Sequence, residues 1–390
     1  MNASPFDVQR WVCDWLATRW SKQHAEAQPL PNLAQAQQIV AFCAENRLSG
    51  ALYQILRHQA SLQGSDLLRW LKLGADLLGN PMQRQKQHFK QLLSAFEEHQ
   101  LFVLVLKSWA FYPWLYQNDP SGRPGIDLDL LIQPKDIRTA QNVLQELGYT
   151  LQSSEPWPGF LQRYAYTSVY TQPGWMPIGL HTGLLPIGQR QTEMIQTIFE
   201  QANKIHNEQD LWTLCKEDTI LYLSGHLALH HQYHPALFRY YDLALLLHTD
   251  PPIDWTKVLA EAKVWHLTLP LRQTLGQVER VWPGSVPQQV FEHLNAQPIS
   301  RSERRLHRWA AERPHNAFSA LIVSLLTQSN WRTRIRYLSE IAIPSPDYMR
   351  KRYGKKQKGS LVSLYFIRWQ HALSSGLEAL NINIQKRKTC

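Results

Sequence analysis

Two short apolar runs, an unbroken one at residues 101–106 and one at 126–132 interrupted by Asp127 and Asp129, stand out in a chain that otherwise repeats its apolar residues at helical spacing. Runs of this length suit strands buried on both faces. The chain must therefore build a small sheet and cover it. A helical stretch at 108–116 and the polar turn Asn118-Asp119-Pro120-Ser121-Gly122 separate the two runs. Asp136 is placed to cap a following helix that Gly148 ends, and segments 164–171 and 176–181 flank Gln172-Pro173-Gly174-Trp175 like the arms of a hairpin. Strand, helix, strand, helix, hairpin predicts a small α/β or α+β domain.

Helical periodicity governs both flanks. Before the core it covers residues 6–20, 34–56 and 67–96, with breaks expected at Pro29-Leu30-Pro31 and Gly79-Asn80-Pro81. After it, helices are expected at 217–233, 236–248, 254–265 (opened by Asp254 as N-cap) and 267–282. The expected fold class is α+β: a small mixed sheet enclosed by helical regions. The corresponding division is a helical region at 1–99, the α/β core at 100–190, a second helical region at 191–345, and a basic tail with an amphipathic helix at 346–390.

The second apolar run carries the chemistry. Residues i and i+2 of a strand share a face, so Asp127 and Asp129 project together while Leu128 and Leu130 face the other way. Adjacent carboxylates repel unless a cation lies between them, and Mg2+ (or Mn2+) takes one or two carboxylates together with phosphate oxygens and water. A solvated strand end is the plain alternative. Lys107-Ser108 lies at a strand-to-helix junction, where free backbone N–H groups and the lysine charge suit a phosphate, or where an ordinary junction lysine sits.

Net charge is +10, yet the segment from Asp347 to Cys390 holds ten Lys or Arg and two acids, so a uniformly basic nucleic-acid groove is not implied. In the tail, the basic cluster at 350–358 precedes an amphipathic stretch at 361–380 with Tyr365, Phe366 and Trp369. That combination fits an anionic membrane surface or RNA, or a solvated charged linker. Four scattered cysteines, with no CxxC pair, suggest neither a disulfide framework nor a structural zinc site. The absence of a signal-like N-terminus and of a long apolar span gives the expectation of a cytoplasmic protein, peripheral to the membrane if the tail docks there. The fifteen tryptophans read as core filler.

Leu106-Lys107-Ser108 and Arg123-Pro124-Gly125-Ile126-Asp127-Leu128-Asp129-Leu130-Leu131 resemble the opening and the Asp-hydrophobic-Asp core of a family of uncharacterised bacterial nucleotidyltransferases in the DNA polymerase β-like superfamily. Gln133-Pro134-Lys135-Asp136 and Leu147-Gly148-Tyr149 agree, as do His226-Leu227-Ala228-Leu229-His230, the segment from Leu237 to Ala244, and Asp254-Trp255. The resemblance spans about residues 35–285 and covers the tail poorly. It implies transfer of a nucleoside monophosphate from a triphosphate such as ATP to an unidentified acceptor. Asp127 and Asp129 would be the metal-holding catalytic residues, and Lys107, Ser108, Arg123, His181, His226, His230, Arg239 and Asp242 would line the nucleotide cleft.

One position departs from the family's pattern. Its hairpin strand ends in a carboxylate, a hydrophobic residue and histidine, whereas Ile178-Gly179-Leu180-His181 puts Gly179 in the acidic slot. Two carboxylates would remain, and a catalytically impaired nucleotide-binding regulatory or scaffold protein becomes the alternative function. Glu155 is the nearest acid in the preceding loop, with nothing in its spacing to place it in the gap. Several residues keep two readings. Arg123 reaches a phosphate or braces an aspartate, His181 belongs to the site or to the hairpin core, and Arg239 and Asp242 line the cleft or pair along a helix surface. His226 and His230, one helical turn apart, ligate a metal or are hydrogen-bonded core or interface residues.

Overall fold

The apolar runs become neighbouring strands of one sheet in the computed structural model, which describes residues 6–21, 30–123, 125–185, 191–206, 210–233, 236–312, 317–328, 330–353, 360–371 and 373–374. Helices α1 (Val8–Ala17), α2 (Leu33–Glu45), α3 (Ser49–Leu56) and α4 (Asp66–Glu98) come first. Each of α1, α2 and α4 starts where a side chain, from Asp7, Asn32 or Ser65, accepts an otherwise unpaired backbone N–H. Of the two breaks expected here, the first is seen at Leu30 and Pro31, which lie outside any helix before α2, while Pro29 falls outside the described residues. The second is not a break: α4 runs through Gly79-Asn80-Pro81.

Two contacts explain the unbroken helix. A Cβ on Gly79 would lie 2.7 Å from the Ser121 Cα, so this glycine serves a close approach between α4 and the loop that carries Arg123. The carbonyl that Pro81 leaves without a partner belongs to Leu77, a solvent-exposed residue.

The sheet comprises β1 (Leu104–Leu106), β2 (Leu128–Leu131), β3 (Thr150–Leu151), β4 (Thr167–Thr171) and β5 (Ile178–His181) in the order β1-β2-β5-β4-β3. Only the β2–β5 pair is parallel. The expected hairpin is thus β4–β5, and it carries β5 to the centre. Helices α5 (Ser108–Trp114), α6 (Ile137–Glu146) and α7 (Phe160–Tyr164) fill the connections. Gly148, at φ 84°, follows α6, but the Asp136 side chain makes no capping bond. A 3-10 turn over Pro134–Asp136 leads into the helix in its place.

After α8 (Gln191–Glu200) comes an antiparallel ribbon, β6 (Asn203–Ile205) with β7 (Leu211–Thr213), which helical periodicity had not predicted. It covers the free edge of the main sheet: Thr213 Oγ1 donates to the Val105 carbonyl at 2.6 Å. Helices α9 (Lys216–His231), α10 (Phe238–Leu247), α11 (Trp255–Val264) and α12 (Thr268–Val281) follow, and Asp254 caps α11 as expected. Trp282 Nε1 donates to the Cys13 carbonyl, and the Leu237 amide donates to Asn46 Oδ1. Segments from the helical regions before and after the sheet therefore close over one core.

Beyond it lie α13 (Gln288–Ala296), α14 (Arg301–Ala311), α15 (Ala317–Thr327), α16 (Trp331–Ala342), α17 (Pro346–Tyr353) and α18 (residues 361–371). The expected tail helix coincides with α18, and most of its continuation falls outside the described residues. Among the described residues, no helix is long and apolar enough to cross a membrane. Trp11, Trp15, Trp109, Trp265 and Trp282 are core residues, whereas Trp175, Trp212, Trp331 and Trp369 stand exposed.

Candidate active site

Asp129 lies in β2 between two partners that leave it room. On one side it pairs with Leu106 at the end of β1, and on the other with Gly179 of β5. Strand alternation would send Lys107 to the opposite face, but its backbone turns at φ 53° and ψ −131°. Its Nζ consequently reaches Asp129 Oδ2 at 2.8 Å. His181, two residues beyond Gly179 on the same face, donates from Nε2 to Asp129 Oδ1 at 2.9 Å. Both oxygens of a buried carboxylate are engaged, one by an ammonium and one by an imidazole.

Gly179 gives the site its shape. A Cβ there would lie 2.5 Å from Asp129 Oδ1 and 3.1 Å from His181 Nε2. The space a third acidic side chain would enter is closed by the Asp129–His181 contact. Glu155 does not reach it, because its carboxylate accepts the Gly159 and Leu161 amides at the start of α7. Asp127, just before β2, is exposed at the mouth of the cleft.

The two carboxylates differ electrostatically. Burial alone would raise Asp129, but the Lys107 charge and the His181 hydrogen bond outweigh it and hold the group well below the usual carboxylate range. Asp127 is raised, first by loss of water around it and then by the charge of Asp129. Mutual repulsion of this kind is relieved by a cation shared between the two.

Arg123 and Asp242 lie behind this cleft. Asp242 is fully buried, and Arg123 Nε approaches its two oxygens at 2.8 and 2.7 Å. Tyr116 donates to Oδ1 at 2.8 Å, and Arg123 Nη1 donates to Ser108 Oγ at 2.9 Å. Arg123 thus ties α10 to the first turn of α5, and of its two readings the structure has the brace. Asp242 pairs with Arg123 and Tyr116 inside the protein instead of with Arg239 along the helix surface. Arg239 lies over the Phe238 ring at 4.6 Å, with Arg123 also over that ring at 4.5 Å. Burial and then the Arg123 charge bring the Arg239 guanidinium down to about 10, with Asp127 among the charges opposing them.

The remaining wall comes from α9. The His226 and His230 rings stack at 4.8 Å, the Tyr222 and His226 rings are 5.8 Å apart, and Lys107 Nζ stands 5.7 Å from the Tyr222 ring centre. Tyr166 bonds His230 through its hydroxyl and lies 6.0 Å from the His181 ring. Burial, followed by the charges of Lys107 and the neighbouring histidines, holds His226 well below the ordinary histidine range. This imidazole is neutral near pH 7. Tyr166 and Tyr222 escaped the sequence reading. Tyr222, His226 and His230 recur every fourth residue, a stripe that could have revealed the first of them. The Tyr222 hydroxyl is buried and, among the described residues, has no hydrogen-bond partner.

The donor set these residues offer a cation is two carboxylates, exposed Asp127 and buried Asp129, whose two oxygens are held by Lys107 and His181. It does not form a protein-only cage: among the described residues, no group of three or more His, Cys, Asp or Glu side chains is arranged to hold a metal. The family model described as "Uncharacterised nucleotidyltransferase" matches residues 32–283. No curated protein matches the chain.

Proposed function

The chain belongs to a family of uncharacterised nucleotidyltransferases, and from that premise we propose that it transfers NMP from a nucleoside triphosphate to an acceptor, using Mg2+ or Mn2+ at Asp127 and Asp129. The observation that carries this reading is the paired carboxylates with Lys107 resting on one of them. Lys107 serves Asp129 as counter-ion while the cleft is empty. Asp127 and Asp129 would hold the cation, which would supply the counter-charge that Lys107 now gives Asp129 and leave the Lys107 ammonium for a phosphate oxygen. Arg239, half-buried and within the field of Asp127, supplies a second positive charge to the triphosphate.

The bound cation would align the triphosphate and neutralise charge at the α-phosphorus. The acceptor oxygen forms its bond to that phosphorus as the bond to pyrophosphate breaks. Gly179 leaves no third carboxylate to take a proton from an acceptor hydroxyl. An acceptor phosphate, largely ionised near neutral pH, suits this site because it has little proton to lose.

A specific observation favours a second reading, a nucleotide-binding scaffold with impaired catalysis: the place of the third carboxylate is closed by Asp129 and His181. Titration calorimetry with ATP, CTP, GTP and UTP, with and without Mg2+, tests both readings. Mg2+-dependent binding of at least one nucleotide is expected, and it should vanish in the Asp127→Ala, Asp129→Ala double variant. Silence with all the nucleotides would remove both readings. Pyrophosphate release in a screen of phosphorylated and hydroxyl acceptors separates the enzyme from the scaffold.

A further inference from the structure

Helices α16 and α18 each carry an exposed apolar stripe with the same spacing. On α16 it consists of Trp331, Ile335, Leu338 and Ala342, and on α18 and its helical continuation of Val362, Phe366, Trp369 and Leu373. The seven large side chains are 41–68% exposed. Steps of four, three and four residues keep each stripe on one helical face. The opposite faces are already used: Tyr337 stacks with Phe160 and Tyr164, while Leu364 is buried with Tyr348 and Met349. Each helix is therefore apolar on two sides, which an ordinary surface helix is not.

The stripes meet. Trp369 Nε1 donates to the Ala342 carbonyl and Arg368 Nη2 to the Ile341 carbonyl, both at 2.9 Å. Exposed Ile343 adds to the junction. Exposed cations lie on α16 and on the connecting α17: Arg332, over the Trp331 ring, and Arg336 on the former, and Arg350, Lys351 and Arg352 on the latter. The sequence from Asp347 onward has ten Lys or Arg and two acids.

We propose that α16 and α18 form one docking surface for an anionic lipid bilayer, with the apolar stripes entering the interfacial region and the flanking cations meeting lipid phosphates. A contiguous apolar patch of this size marks a contact, and basic borders with an aromatic and aliphatic centre match the headgroup–acyl boundary. A second copy of the chain would bring two basic borders together. RNA would use the cations and the tryptophans but has no counterpart for Ile335, Leu338, Val362 and Leu373. The inference does not depend on nucleotidyl transfer.

The test is flotation of the full chain with phosphatidylglycerol–phosphatidylcholine vesicles and with phosphatidylcholine vesicles alone. Flotation with the anionic vesicles, weakened by salt and absent with phosphatidylcholine alone, is expected. The Trp331→Ser, Phe366→Ser double variant should lose at least tenfold in partitioning, because it removes one large aromatic side chain from each stripe. Leu373→Asp, at a position that fills no core, gives a second variant should the first misfold, and unfolding curves identify which variants are folded. Failure to float, or equal flotation of folded variants and parent, overturns the proposal. So does a dimer in light scattering that the same variants dissociate, since the patch would then join two copies. RNA binding that the apolar variants weaken in place of flotation would overturn it as well.

Discussion

Replacing Arg123 by Met separates a bracing role from direct nucleotide contact. Asp242 is fully buried and draws its donors from Arg123 Nε and the Tyr116 hydroxyl. Methionine preserves much of the side-chain volume but leaves the carboxylate with Tyr116 alone of these two. An uncompensated buried charge of this kind is worth about 3–5 kcal/mol. The lost bond to Ser108 Oγ and the lost stacking on Phe238 add about 1 kcal/mol each at most, and these terms are not additive. Urea unfolding followed by tryptophan fluorescence should accordingly show a loss near the upper part of that range. Adding Asp242→Asn removes the orphan charge, so the double variant should be more stable than the sum of the single effects by about 2 kcal/mol or more. Nucleotide affinity of the folded Arg123→Met protein should fall only a few-fold. Stability within about 1 kcal/mol of the parent together with complete loss of nucleotide binding would refute the argument, because Arg123 would then be a phosphate ligand.

Three further outcomes follow from the same geometry. Gly179→Ala places a methyl 2.5 Å from Asp129 Oδ1, so thermal melts without divalent ions should show a loss of about 1–3 kcal/mol; an unchanged melting temperature would show that the Asp129–His181 contact yields freely. Tyr222→Phe deletes a buried hydroxyl without a partner among the described residues, which should leave stability equal or higher by about 1 kcal/mol while weakening nucleotide binding; lower stability would mean that the hydroxyl has a structural partner. Glu261 is pushed up to about 8, first by burial and then by its hydrogen bond and charge repulsion with Asp218. Between the ordinary glutamate range and pH 8 the folded chain holds the extra proton, so Glu261 makes stability fall as pH rises through that window, and Glu261→Gln should flatten the slope in unfolding curves measured across it.

Local pattern carried much of the architecture because it reports burial directly. The runs at 101–106 and 126–132 contain β1 and β2, and Gln172-Pro173-Gly174-Trp175 does join two paired strands. The family resemblance implied that Gly179 stands in the slot of a third carboxylate, and in the structure it pairs with Asp129. Long-range choices were not legible. Arg123 had two partners open to it in the sequence, and Asp242, 119 residues away, decides between them. Gly79-Asn80-Pro81 looked like a helix end because sequence does not reveal that Ser121 comes to rest on Gly79. The ribbon β6–β7 depends on the edge of β1 that it covers. The exposed stripe of α16 has the spacing of a core face, and only burial tells the two apart.

On the proposed reading, the Lys107–Asp129 contact would make the cleft an ion exchanger already loaded with its own cation. A tethered ammonium competes at the high effective concentration of an intramolecular partner, so a free monovalent ion gains little by displacing it. A divalent ion accompanied by a polyphosphate would offer more: Asp129 would receive a stronger counter-charge, and the displaced Lys107 would find a new anion in the same event. Metal and nucleotide should consequently strengthen each other's binding. In salt alone, the site should stay closed around its lysine.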